Sequence, residues 1–284
     1  MRWRQGSRSR NIEDRRGQRM RRGPAIGGGM GLVLIVVVVL LGGDPTELLT
    51  LLSGEMGTNS APAPPSTGAA DDEVGEFVAH VLGDTEIAWG AVFAGSGERY
   101  PAPTLVLYND AVQSACGFSN AATGPFYCPG DQKVYLDLSF LRELQRLGAP
   151  GDFAFAYVIA HEVGHHVQRI TGVEPEVRRL QQQVSQADAN RLSVLMELQA
   201  DCYAGIWANS AQRQRDLLEP GDLQEGLAAA AAVGDDRLQR AAGRTVQPES
   251  FTHGTSEQRQ RWFSTGFDAG SVASCDTFAA AGMR

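Results

Sequence analysis

Five consecutive residues, His161-Glu162-Val163-Gly164-His165, carry the clearest chemistry in this chain. Two histidines four apart on a helix project from one face and can share a metal ion. Neutral imidazole is a natural zinc ligand. Glu162 follows the first histidine by one position, so its carboxylate stands beside a metal-activated water and can take the water's proton. Zinc lowers the pKa of such a water to about 7, and a carboxylate base then suffices at neutral pH. The flanks are apolar, with Tyr157, Val158, Ile159 and Ala160 before the motif and Val163, Gly164 and Val167 around it. A buried helix does not carry two histidines and a glutamate without partners, because their desolvation is costly. A shared metal removes that cost; a helix whose histidines are merely hydrogen-bonded is the competing reading.

A catalytic zinc wants three protein ligands and an open position. The third candidate is Glu197, in the run Glu-Leu-Gln-Ala-Asp, with Asp201 one helical turn later. That spacing lets one carboxylate reach the metal while the other stands behind a ligand histidine and fixes its tautomer. An acidic, solvated helix face is the bland alternative. Against it, Leu195, Met196, Leu198, Ala200, Cys202 and Tyr203 surround the pair. His253 lies in Phe-Thr-His-Gly-Thr-Ser-Glu-Gln-Arg, just before a capped helix, and could stabilise an oxyanion; a polar loop residue is its alternative. His166 turns away from the ligand face, and His80 is isolated on an early helix. The candidate set is therefore Glu162 and His253 for catalysis, His161, His165 and Glu197 for one Zn2+, and Asp201 behind them.

The elements that position these residues follow from periodicity. Residues 73–93 show apolar positions at helical spacing, including Val74, Phe77, Val78, Val81 and Leu82. TLVLYND and KVYLDLSF read as strands of a small sheet. FLRELQRLG is a short helix ended by Gly148, and the helix carrying His161 runs from Phe153 to near Gly172. A long helical stretch, with room for a break, covers residues 177–211 and carries Glu197. LQEGLAAAAAVGDDRLQ is another helix. Thr255 and Gln258 form a capping-box pattern before a last helix with Trp262, Phe263 and Phe267. The sum is α+β and helix-rich.

Charge divides the chain. Residues 1–24 hold nine arginines against Glu13 and Asp14, a balance of +7, while the chain as a whole carries -8. The body is therefore strongly acidic, which argues against nucleic acid as a partner, since phosphate binding needs a basic face. Residues 25–43 carry no charge. As a helix they span about 28 Å, close to the hydrocarbon thickness of a bilayer. Arginines directly before them predict a cytoplasmic N-terminus, a single membrane pass and an extracytoplasmic body. A cleaved signal peptide and a buried core helix compete with this reading. Residues 44–72 are rich in Pro, Ser, Ala and Gly and read as a flexible linker, so the domain spans 73–284. The four cysteines, Cys116, Cys128, Cys202 and Cys275, fit an exported body. Three connectivities are open, and Cys116–Cys128 with Cys202–Cys275 is the favoured one because the first pair brackets a turn-rich loop.

HEVGHHVQ, ELQADCYAG, HGTSEQRQRWFSTGF and CDTF together resemble the bacterial putative neutral zinc metallopeptidase family, over nearly the whole chain apart from the linker. The resemblance implies a zincin-like fold with carboxylate placement similar to thermolysin-type gluzincins. It also implies His161, His165 and Glu197 as ligands and Glu162 as catalyst. Hydrolysis of a peptide or protein substrate is the function these features favour. A zinc-stabilised envelope scaffold or partner-binding module without turnover is the competing class.

Overall fold

The computed structural model describes residues 1–17, 66–67, 72–120 and 123–283. In chain order the described elements are β1 (Ile12–Asp14), β2 (Ser66–Thr67), α1 (Glu73–Gly95), β3 (Thr104–Tyr108), β4 (Ala111–Ser114), β5 (Gly117–Asn120), β6 (Phe126–Cys128) and β7 (Lys133–Asp137). Then follow α2 (Phe140–Arg146), α3 (Asp152–Ile170), α4 (Val173–Gln181), α5 (Gln186–Arg215), α6 (Asp222–Ala232), α7 (Asp235–Ala241), α8 (Ser256–Ala269) and α9 (Thr277–Ala280). This is a helix-rich α+β domain with a small sheet.

The sheet runs in the order β2-β1-β3-β7-β6. Its middle strands β1, β3 and β7 are parallel, and β2 and β6 close the two edges antiparallel. β3 and β7 are buried along nearly their whole length, as expected of central strands with both faces covered. The hairpin β4–β5 stands apart and is tied to β6 by the disulfide Cys116–Cys128.

Helix α3 is the centre of the domain, and Phe153 through Gly164 are all buried along it. A helix apolar all round belongs in a core. The sheet and α1 lie against part of its surface, and α5 and α6 against the rest. Phe153 stacks on Trp207 of α5, and Tyr157 meets Phe263 of α8 edge to face. Local side-chain caps start two of the helices, and the one at Thr255 follows the pattern read from the sequence. Ser185 caps α5, and Thr255 with Gln258 forms the full capping box of α8. The long helical stretch does break, into α4 and α5, between Gln181 and Gln186.

Helices α5 and α8 cross with their backbones almost touching. A Cβ placed on Gly205 would fall 2.1 Å from Phe263 O, and one on Gly266 would fall 1.9 Å from Cys202 O. Glycine at both positions lets the helices approach closely enough for the Cys202–Cys275 disulfide to pin the chain after α8 back onto α5. Both disulfides follow the favoured pairing, and no free cysteine remains.

The domain differs from expectation at its beginning. Composition predicts a cytoplasmic basic arm over residues 1–24, a linker over 44–72 and a domain from 73. In the structure Met1–Gly17 belongs to the same compact unit as Ser66–Arg284, and Ser66–Thr67 is a strand. The reason is physical: a three-residue strand with charged Glu13 and Asp14 leaves no periodic signature, and its pairing is entirely nonlocal. The apolar residues 25–43 lie outside the described residues. Among the described residues, no helix is long and apolar enough to cross a membrane.

The crossing of α5 and α8 yields a prediction. Alanine in place of glycine within a helix should gain about 0.5–1 kcal/mol from propensity alone. At Gly266 the new methyl instead collides with a backbone carbonyl, and overpacking of this kind costs about 1–3 kcal/mol. Gly266→Ala should therefore lower stability in denaturant unfolding. An unchanged or raised midpoint would show that the two helices do not meet as described.

Candidate metal centre

His161 and His165 lie one turn apart on α3, and their ring centroids are 4.8 Å apart. Glu197 approaches them from α5. Its Oε2 is 3.1 Å from His161 Nε2 and its Oε1 is 3.3 Å from His165 Nε2. Gly164, between the two histidines, makes this reach possible. A Cβ there would lie 3.1 Å from both Cα and O of Ala200, so a larger residue would hold α5 away. The ligand atoms of His161, His165 and Glu197 all lie within 4.8 Å of one another.

The far nitrogen of each imidazole is held. His161 Nδ1 donates to Asp201 Oδ1 at 2.8 Å, since a carboxylate can only accept. His165 Nδ1 lies 2.9 Å from Gln168 Oε1. Gln168 Nε2 donates to Met196 O and to Gln199 Oε1, which fixes the amide and leaves its oxygen as the acceptor for His165. Both rings therefore turn Nε2 toward Glu197. A carboxylate or amide behind a ligand histidine sets this tautomer and raises ring basicity.

Asp201 is fully buried and collects four contacts. Arg259 donates to it from both Nε and Nη2, each at 2.8 Å, His161 donates from Nδ1, and Tyr157 donates from its hydroxyl. Arg259 is itself 3% exposed and lies at the start of α8. Sequence reasoning singled out Asp201 but missed Arg259, Gln168 and Gln199. The signal for Arg259 was indirect: a buried carboxylate demands a cation, and Arg259 stands in the HGTSEQR segment.

Burial opposes a charge on His161, yet Asp201 and Glu197 outweigh it and raise its pKa to about 10. Burial likewise opposes ionisation of Glu197, but His165 and His161 hold its carboxyl well below the usual range. Opposite charges thus favour one another where the donor atoms converge. Burial raises the Glu162 carboxyl, against the pull of both histidines. Such a carboxyl is a better proton acceptor than an exposed one once ionised.

These groups form one wall of a cleft of about 1070 Å³. His161, Glu162, His165 and Glu197 line it together with Phe126, Tyr127 and Phe140, Arg142 and Arg146 of α2, and Arg178 of α4. His253 also lines the cleft, half-exposed, on the loop before α8. Its Nδ1 donates to Asp235 Oδ1 at 3.1 Å, while Asp235 Oδ2 accepts the backbone N–H groups of Thr252, His253 and Gly254. Asp235, which sequence reasoning did not single out, fixes both the loop and the ring. The hydrogen bond to Asp235 raises the His253 pKa despite burial. His166, set aside at the sequence level, faces the other way and bonds Tyr127 OH and Pro101 O. His80 accepts no role here; its Nδ1 donates to Gly6 O.

The chain is similar to known bacterial proteins over most of its length. It is 48% identical to the uncharacterized protein YpfJ of Escherichia coli K12 over 287 residues, covering 98% of this chain and 99% of the relative. It is 44% identical over 195 residues to the uncharacterized proteins Mb2605 of Mycobacterium bovis and Rv2575 of Mycobacterium tuberculosis, covering 65% of either chain. No solved structure matches it. The family model described as putative neutral zinc metallopeptidase matches residues 1–278, and the chain belongs to that family.

Proposed function

We propose that this protein is a zinc-dependent endopeptidase acting on peptide or protein substrates, with Glu162 as its general base. The observation that carries the reading is the donor set. Two imidazole nitrogens and one carboxylate converge on one point, each histidine braced from behind, with a buried glutamate beside them on the wall of a cleft. A structural zinc is usually closed by four Cys or His ligands, whereas three ligands with a position left over suit catalysis. That contrast favours the enzyme over the scaffold.

His161, His165 and Glu197 would hold the ion. Bound there, zinc would supply Lewis acidity, lowering the pKa of a water and polarising the scissile carbonyl. The chain's own residues do the rest. Glu162 takes the proton of the attacking water and passes it to the departing amine. His253, whose charged form the hydrogen bond to Asp235 favours, would in that form donate from Nε2 to the oxygen on which negative charge develops. Asp201 and Arg259 hold His161 in one tautomer and one orientation, acting through that ring. Phe126, Tyr127 and Phe140 give the cleft an apolar wall against which a peptide side chain can lie.

Glu162→Gln should retain one equivalent of zinc and lose peptide cleavage by about 10³-fold or more, since the base is absent while the ligands stay. A diverse peptide mixture read by mass spectrometry reports this; equal cleavage by both forms would remove Glu162 from the mechanism. His165→Ala should lose the metal itself.

Proton competition gives a further expectation. Because His161 of the metal-free protein stays charged up to about pH 10, zinc must displace its proton. Apparent zinc affinity, measured against a chelator of known pH dependence, should rise about tenfold per pH unit per proton released between pH 6 and 9. A flat profile would mean that the histidines are not the ligands.

The alkaline limb of activity tests His253. Its raised pKa keeps the donating form present above the ordinary histidine range, and activity should fall as the pH passes through that raised value. Asp235→Asn should move the limb to lower pH. An unmoved limb would detach His253 from the reaction.

A further inference from the structure

The residues before the apolar stretch and the domain after it share one sheet. Ile12, Glu13 and Asp14 pair in parallel with Leu105, Val106 and Leu107, and Asp14 and Glu13 pair antiparallel with Ser66 and Thr67. Ile12 is 1% exposed and belongs to the main core. The backbone continues these bonds beyond the strand. Leu105 N donates to Asn11 O, Arg15 N to Leu107 O, and Ser9 N to Ala79 O on α1. Helix α1 is shaped for this approach: a Cβ on Gly83 would lie 2.2 Å from Ser7 O.

The charges agree with the packing. Arg8 pairs with Glu76, Arg4 with Glu73, Arg2 with Asp216, and Arg16 with Asp14 and Asp72. Arginines that a charge count reads as a cytoplasmic signal therefore have carboxylate partners in the domain. The family match also begins at residue 1, so this segment belongs to the domain's own pattern.

Neighbouring strands lie about 5 Å apart, whereas the hydrocarbon core of a bilayer is about 30 Å thick. A single crossing by residues 25–43 would put Asp14 and Ser66 on opposite faces of the membrane and destroy their pairing. Two crossings need about 40 apolar residues. Residues 44–65 do not supply the second set, because they carry Asp44, Glu47 and Glu55 and end in Ala-Pro-Ala-Pro-Pro. We propose that residues 1–17 and the metallopeptidase domain lie on the same side of the membrane, so that the chain between them makes no net crossing of it. The chain leaves the sheet at β1 and returns to it at β2. Two disulfides within the domain make that side an oxidising compartment.

All four cysteines are paired, so one added cysteine gives one reactive thiol. Gln5→Cys and Val184→Cys introduce thiols at exposed positions of the N-terminal segment and of the body. Each full-length variant, expressed in cells, is treated with a membrane-impermeant maleimide before and after permeabilisation. The proposal expects both thiols to react in the same state of the cells. Reaction of one before permeabilisation and of the other only after it would overturn the proposal. Arg10→Cys, exposed on the same segment, repeats the reading where Gln5→Cys fails to fold. Peptidase activity plays no part in this test, so it stands apart from the proposed chemistry.

Discussion

A fully buried carboxylate, Asp201, is the constraint around which this domain is arranged. A lone charge in such a place is costly, and removing one partner of a buried pair costs about 3–5 kcal/mol. Asp201 is held by a bidentate guanidinium, an imidazole N–H and a phenol, and these come from α8 and α3 while Asp201 itself sits on α5. Satisfying one carboxylate therefore locks three helices together. The same contact chooses the tautomer of His161 and aims its Nε2 at Glu197. Packing and ligand geometry are in this sense one interaction.

The close crossing of α5 and α8 serves that arrangement. Glycines at 205 and 266 bring the two backbones together, and the disulfide to Cys275 secures the chain beyond the crossing. At its other end α8 is anchored by the capping box, and just before it the loop carrying His253 is gathered around Asp235. Residues 253–259 thus present one side chain to the cleft and another to the back of His161. Disturbing this short junction would change both sides of the site together.

Much of this was legible in the sequence because it is local. HEVGH on an apolar helix, the four-residue step from Glu197 to Asp201, the capping box and the loop bracketed by Cys116 and Cys128 are all short-range patterns with direct physical meaning. What escaped was nonlocal. Arg259 meets Asp201 across 58 residues of sequence, and Asp235 meets His253 across 18. Gln168 is close to His165, but an amide in a helix carries no signal that its far side is fixed by Met196 and Gln199. The N-terminal segment was hidden most fully. Its arginines read as a topology signal, while its single buried apolar strand residue, Ile12, is too little for a periodic pattern.

The most direct measurement is the coordination of zinc in the loaded protein, by X-ray absorption or by anomalous scattering from a crystal. The account predicts one ion held by two imidazole nitrogens at about 2.0–2.1 Å and one carboxylate, with a remaining position filled by solvent. An ion enclosed by four protein side chains, or one bound away from His161, His165 and Glu197, would contradict it.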